Sequence, residues 1–255
     1  MFPETGGADP LLGRRIELEG AFNFRDLGGY PTTSGGKVPE GLLYRSDDLF
    51  RLSESDLAVM ETLGIKTVID LRTEIEAQIR GRFPVDKLPL DYVRKSLIDI
   101  SADYTSASGN GANDFIFHRY VQILTQGSEA IRQVLERLFD PQSLPAVFHC
   151  AIGKDRTGLV AALALETMGV ERSYVALDYA LTERSIDAML AWLDTVIPRV
   201  AKALRQLPPV VMSAKAENME RVLAWMDENY GGVPGYLAQI GVPQDALQRF
   251  RSLAD

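Results

Sequence analysis

The chain has 255 residues, 46% hydrophobic and 24% charged, which suits one large α/β domain or one domain with an appended helical piece. One cysteine and two histidines exclude an intrachain disulfide and leave too few ligands for a structural zinc site. A net charge of −8, with a pI near 5, argues against general nucleic-acid binding, which needs clustered Lys and Arg.

Residues 1–15 are expected to be loose. The opening MFPETGGADP has neither the basic nor the apolar stretch of a secretory signal, so a cytoplasmic protein is expected, with signal-less export left open. Short apolar runs predict strands at Leu42–Tyr44, Thr67–Leu71, Tyr92–Lys95 and Ala146–His149. Between the first two, Ser53–Leu63 opens with a Ser-x-x-Asp cap and stops at Gly64, which predicts a helix. The stretch Ile98–Asn113, rich in Ser, Ala, Gly, Asn and Asp, reads as a mobile surface loop. Helical patterns follow at Phe115–Leu124 and Glu129–Phe139. Alternation of this kind predicts an α/β fold: a central, mostly parallel sheet flanked by helices.

The C-terminal third reads as a helical extension. Ile186, Met189, Leu190, Leu193, Val196, Ile197, Val200, Ala203 and Leu204 recur at spacings of three and four and form one apolar stripe. Pro198 should kink that helix, and Pro208-Pro209 should end it. A second helix, about Ala214 to Asn229, is expected to stop at Gly231-Gly232. The apolar run Leu159–Leu165 is too short to span a bilayer, so no integral membrane association is expected.

The segment His149-Cys150-Ala151-Ile152-Gly153-Lys154-Asp155-Arg156-Thr157-Gly158 carries the chemistry. An apolar strand ends at His149, a Gly-containing loop follows, and a helix starts near Arg156. Cys150 is thereby placed at the C-terminal edge of a sheet, where open α/β proteins bind ligands. Unpaired N–H groups at a helix start cradle anions and favour a thiolate, and Lys154 and Arg156 add positive charge. Arg156 can hold two phosphate oxygens with its planar fork. A lone cysteine is ordinarily a small buried hydrophobe, but this context argues for a reactive one. A Walker nucleotide loop does not fit, because Asp155 stands where Ser or Thr is required.

This His-Cys-x5-Arg-Thr-Gly pattern resembles the signature of the protein tyrosine phosphatase superfamily. The segments Asn23-Phe24-Arg25-Asp26-Leu27-Gly28-Gly29-Tyr30, Leu43-Tyr44-Arg45-Ser46-Asp47 and Thr67-Val68-Ile69-Asp70-Leu71-Arg72 resemble the bacterial group typified by the mycobacterial secreted tyrosine phosphatase B. The resemblance implies a single phosphatase domain over 1–255, with about 183–230 as a helical lid. It implies that Cys150 attacks phosphorus and forms a phosphocysteine, while Arg156 and the N–H groups from Ala151 through Ile152, Gly153 and Lys154 to Arg156 hold the oxygens. Thr157 would hydrogen-bond the sulfur, and His149 would orient the loop. No metal or other cofactor is implied. Asp155 is the first candidate for general acid and Asp70 the second, with Asp99 or Asp103 as a separate-loop alternative; Asp70 would otherwise be a strand-end carboxylate paired with Arg72 or Arg25. Lys154 is expected to bind substrate; Arg25 and Asp26 would either bind substrate or form an ion pair beneath the site. His118 is assigned no role. The implied partners are phosphorylated proteins, with phosphotyrosine foremost and phosphoserine or phosphothreonine included, and phosphoinositides. Two rival readings are a rhodanese-like sulfurtransferase, which the Arg-Thr-Gly after the loop opposes, and a non-catalytic phosphate-binding module.

Overall fold

The computed structural model describes residues 13–98 and 112–255. Five strands form one sheet: β1 (Arg25–Asp26), β2 (Leu43–Ser46), β3 (Thr67–Asp70), β4 (Asp91–Arg94) and β5 (Ala146–His149). Their order is β1-β2-β5-β3-β4; β1 runs antiparallel to β2, and every other pair is parallel. The register aligns Ser46, His149, Asp70 and Arg94 across the C-terminal edge, which puts Cys150 at its centre.

Side chains alternate across the sheet as strand geometry requires. Leu43, Ile69, Ala146 and Phe148 join the larger core. Tyr44, Val68 and Val147 join a smaller one on the opposite face. Helix α1 (Glu54–Thr62) covers the smaller side with Leu57 and Met60 and starts at a Ser53–Asp56 capping box. Helix α2 (Glu74–Arg80), absent from the sequence reading, starts at a second box, Thr73 with Glu76. Helices α3 (Ala112–Gln126) and α4 (Ser128–Leu138) pack on the larger side.

Helix α5 (Asp155–Thr167) follows the Cys150 loop and is buried along every residue from Thr157 to Leu165, as an apolar-all-round helix must be. Then come α6 (Arg172–Leu181), α7 (Glu183–Val196), α8 (Pro198–Arg205), the single turn α9 (Pro209–Met212), α10 (Ala216–Tyr230), α11 (Val233–Gln239) and α12 (Gln244–Arg251). The long helix expected over Ile186–Leu207 is two helices. Pro198 lacks an N–H and disfavours helical geometry in the residue before it, and Ile197 sits at φ −137°, ψ 68°. The break lets α8 pack against α7. No helix among the described residues is long and apolar enough to cross a membrane.

Candidate active site

Cys150 is 3% exposed, directly after β5 and before α5. Helices α1 and α2 have side-chain caps, but the N-terminus of α5 has none. Its first N–H groups are therefore uncapped beside the cysteine loop, and the positive end of the helix dipole acts in the same place. Gly153 makes the turn. Its φ is +73°, and a Cβ there would come within 2.4 Å of the Ser46 carbonyl oxygen and 2.7 Å of the Asn23 amide. Only glycine fits both demands.

Arg156 is held in place by a residue the sequence reading missed. Its two terminal nitrogens donate to the Glu76 carboxylate at 2.5 and 2.7 Å, and one also reaches the Leu71 carbonyl at 3.4 Å. Burial disfavours the Glu76 charge, but the Arg156 hydrogen bonds and charge, with help from Thr73, outweigh it and bring the carboxyl down to about 2. Burial likewise opposes the Arg156 charge, and Glu76 and Cys150 more than restore it, so the guanidinium is held above its ordinary range.

Asp155 accepts a hydrogen bond from the Tyr120 hydroxyl at 2.6 Å, and that hydroxyl lies 2.6 Å from the Tyr179 hydroxyl. The Asp155 side chain keeps 35% exposure, so it can meet an incoming molecule. Asp70 is placed differently. It is fully buried, accepts from Arg72 at 2.6, 2.9 and 3.0 Å and from the Tyr92 hydroxyl at 2.8 Å, and lies 3.9 Å from His149 Nε2. Burial works against its charge, but His149 and Arg72 prevail and hold the carboxyl well below the ordinary range. A carboxylate kept ionised in this way has no proton to donate near neutral pH. Asp99 and Asp103 lie outside the described residues.

The remaining expected residues take these positions. Thr157 is fully buried, with a hydroxyl that has no hydrogen-bond partner among the described residues. His149 is buried behind the loop, with Nδ1 3.2 Å from the Cys150 carbonyl oxygen. The Lys154 ammonium, expected to contact substrate, is instead buried against the Val211 carbonyl of α9 and the Ser213 carbonyl just after it, 3.3 Å from Asp155. A four-carbon stem satisfied at both carbonyls fastens the loop to α9. Arg25 and Asp26 do not pair with each other. Arg25 binds Asp178 at 3.0 Å and the Asn23 side chain. Asp26 accepts from the backbone of Gly28 at 2.7 Å and of Gly41 at 2.6 Å, while burial raises its carboxyl. His118 is exposed and lies against Phe117.

The tyrosine phosphatase family model matches residues 16–253. The chain belongs to the tyrosine phosphatase family. The triple specificity protein phosphatase PtpB of Mycobacterium tuberculosis is 30% identical over 93% of this chain and 98% of its own length. A tyrosine-protein phosphatase of Nostoc commune is 30% identical over 87% of this chain and 76% of its own. Among solved structures, the catalytic core of Siw14 superposes with a TM-score of 0.45 at 13% identity, covering 91% of this chain and 98% of that one.

The phosphatase builds its site on buried ion networks, of which the sequence offered only the pairing of Asp70 with Arg72 or Arg25. Asp178 pairs with both Arg25 and Arg45, all three buried. Burial pushes Arg45 down to about 10, but it stays charged at neutral pH. Asp48 pairs with Arg72 at 2.8 Å and Arg80 at 2.6 Å. Glu76 carries no catalytic signal in the sequence, because Thr73-x-x-Glu76 is a helix-capping pattern and its partner Arg156 is 80 residues away. Arg45 and Asp178 lie far apart in sequence, and no spacing rule joins them.

Proposed function

We propose that this phosphatase hydrolyses phosphomonoesters through a phosphocysteine on Cys150. The observation that carries this reading is one constellation: Cys150 at the centre of the sheet edge, an uncapped α5 N-terminus beside it, and Arg156 held rigidly by Glu76. The thiolate sulfur attacks phosphorus and the bond to the leaving oxygen breaks. Asp155 gives that oxygen a proton, and the loop N–H groups and Arg156 bear the charge of the three equatorial oxygens. Water then attacks phosphorus, Asp155 takes its proton, and the P–S bond breaks to release inorganic phosphate and the thiolate. In this reading the Thr157 hydroxyl, which has no other partner among the described residues, turns to donate to the departing sulfur. Asp155 is preferred to Asp70 as the acid because it is accessible and Asp70 is locked against Arg72.

Phosphotyrosine is the foremost substrate, with phosphoserine, phosphothreonine and phosphoinositides included. The full-length likeness to a phosphatase described as triple in specificity supports this breadth. Of the span 183–230 expected as a lid, α10 packs into the larger core, and helices α7 and α8 form the lid over the loop. Their apolar cluster of Ile186, Met189, Leu190, Leu193 and Ala201 packs on Ile152 of the loop and on Phe22, apart from the sheet cores.

The test is turnover of a small aryl phosphate, a phosphotyrosine peptide and a phosphoinositide panel by wild type and Cys150→Ser. Wild type should turn over, and Cys150→Ser should bind vanadate without turnover. Substantial activity in Cys150→Ser would remove the covalent mechanism. Asp155→Asn should slow phenyl phosphate far more than dinitrophenyl phosphate, since an acidic phenol needs no proton. Equal slowing of both would reduce Asp155 to an electrostatic part.

A further inference from the structure

The cysteine loop is held from behind at three successive peptides. The Ala151 carbonyl accepts from Arg80 Nη2 at 3.3 Å. The Ile152 carbonyl accepts from Asn23 Nδ2 at 3.2 Å. The Gly153 carbonyl accepts from Asn23 Nδ2 at 3.2 Å and from Arg45 Nη2 at 2.6 Å. In a planar trans peptide the C=O and the N–H of the same unit point in opposite directions. Drawing these carbonyls backward therefore turns the N–H groups of Ile152, Gly153 and Lys154 forward.

Each donor is itself fixed. Arg80 is bound by Asp48 at 2.6 Å; Asp48 is bound by Arg72 at 2.8 Å, and Arg72 by Asp70. On the other side the Asn23 side-chain oxygen accepts from Arg25, so its amide nitrogen is the end left to face the loop. Arg25 and Arg45 share Asp178. Two buried ion networks thus converge on one backbone from opposite sides.

We propose that Arg80 and Asn23, with Arg45 beside them, are positioning residues that set the direction of the loop N–H groups toward the phosphoryl oxygens; this rests on the reading of the loop as a phosphate cradle. They touch no substrate atom. Their effect is on the geometry of donors whose value in catalysis depends on being fixed before the charge develops. Arg80 has a further consequence. It lies one helical turn after Glu76, so α2 grips the backbone of the loop with one residue and the side chain of Arg156 with another.

The experiment compares Arg80→Met, Arg80→Lys, Asn23→Ala and the surface variant Arg82→Met with wild type. The readouts are kcat/KM on an aryl phosphate, the inhibition constants of orthovanadate and inorganic phosphate, and thermal unfolding. An inhibition constant reports the sites that remain, whatever their number, so partial misfolding does not move it. Arg80→Met and Asn23→Ala should each weaken vanadate about tenfold or more and lower kcat/KM by a similar factor, as expected for a lost buried hydrogen bond to an aligned donor. Phosphate, whose geometry is tetrahedral, should weaken less than vanadate. Arg80→Lys keeps a cationic donor and should recover most of the loss, and Arg82→Met should match wild type. Should Arg80→Met fail to fold, Asn23→Ala decides alone. Unchanged inhibition constants in an active enzyme would overturn the proposal. A wild type that neither turns over aryl phosphate nor binds vanadate would overturn the cradle reading beneath it, and the proposal with it.

Discussion

Helices α7–α8 and helices α10–α12 both carry apolar stripes, but they bury them against different things. In α10, Met219, Val222, Leu223 and Met226 enter the core that also holds α5 and the sheet. In α7 and α8, Met189, Leu190, Leu193 and Ala201 form a small cluster of their own, rimmed by half-buried Trp192, Ile197, Val200 and Leu204. An amphipathic stripe shows that a helix must bury a face, but not which surface will receive it. One stripe joins the core beneath the sheet, and the other packs on Ile152 and Phe22, where the proposed lid would lie.

The sharpest test is a matched pair of truncations. Leu223→Ala should cost toward about 5 kcal/mol in urea unfolding, the upper range for a core leucine, because a rigid surround cannot collapse on the cavity. Leu193→Ala should cost nearer about 2 kcal/mol, because its cluster can relax. Equal costs would mean that α7–α8 is core like the rest.

Acid separates the regions next. Asp178, Asp70 and Glu76 all have folded-state carboxyls below their unfolded values of 3.8, 3.8 and 4.5. A depressed carboxyl contributes stability that is fully present above the unfolded value and is lost as pH falls toward the folded one. Stability should hold flat down to about pH 5 and fall below it. The loss belongs to the networks beneath the loop, since the carboxylates of α7, Glu183, Asp187 and Asp194, are all exposed. A variant with Met189→Ser and Leu193→Ser should show the same acid midpoint as wild type. It should also be inactivated severalfold faster by peroxide, because the single thiol loses its cover and has no second cysteine to form a protecting disulfide. An unchanged peroxide rate would remove the lid.

The smallest expected effect is at Trp192, whose ring lies 4.8 Å from the Arg51 guanidinium and joins α7 to the turn after β2. Trp192→Leu should cost about 1 kcal/mol, the scale of a cation–π contact, and should raise peroxide sensitivity slightly.

Much of the architecture was legible because local rules carried it. The runs Thr67–Leu71 and Ala146–His149 read as strands, and the Gly-Lys-Asp-Arg-Thr-Gly sequence placed a loop and a helix after Cys150. Strand β1 has only two residues, too short to show a period, and α2 has Ile75 and Ile79 exposed where a core-facing pattern would bury them. The roles of Lys154, Arg25, Asp26 and Asp70 were the hard part. Each is a charged residue near the right motif, and only its partners decide whether it faces solvent, substrate or another buried charge. Val211, Asp178 and Gly41 come from wherever the chain returns, whereas Arg72 stands two residues after Asp70 and is the partner its sequence context offered.

Glu76 serves two tasks with one carboxylate. Oε2 accepts from the Thr73 N–H at 2.9 Å and so closes the first turn of α2, while both oxygens receive Arg156. Glutamine can make the cap as well as glutamate can, but it cannot balance a buried guanidinium. Glu76→Gln is therefore a substitution with which the molecule can be taken apart along a chemical seam: the helix is kept, the arginine loses its counter-charge, and what a phosphatase needs in order to stand is separated from what it needs in order to work.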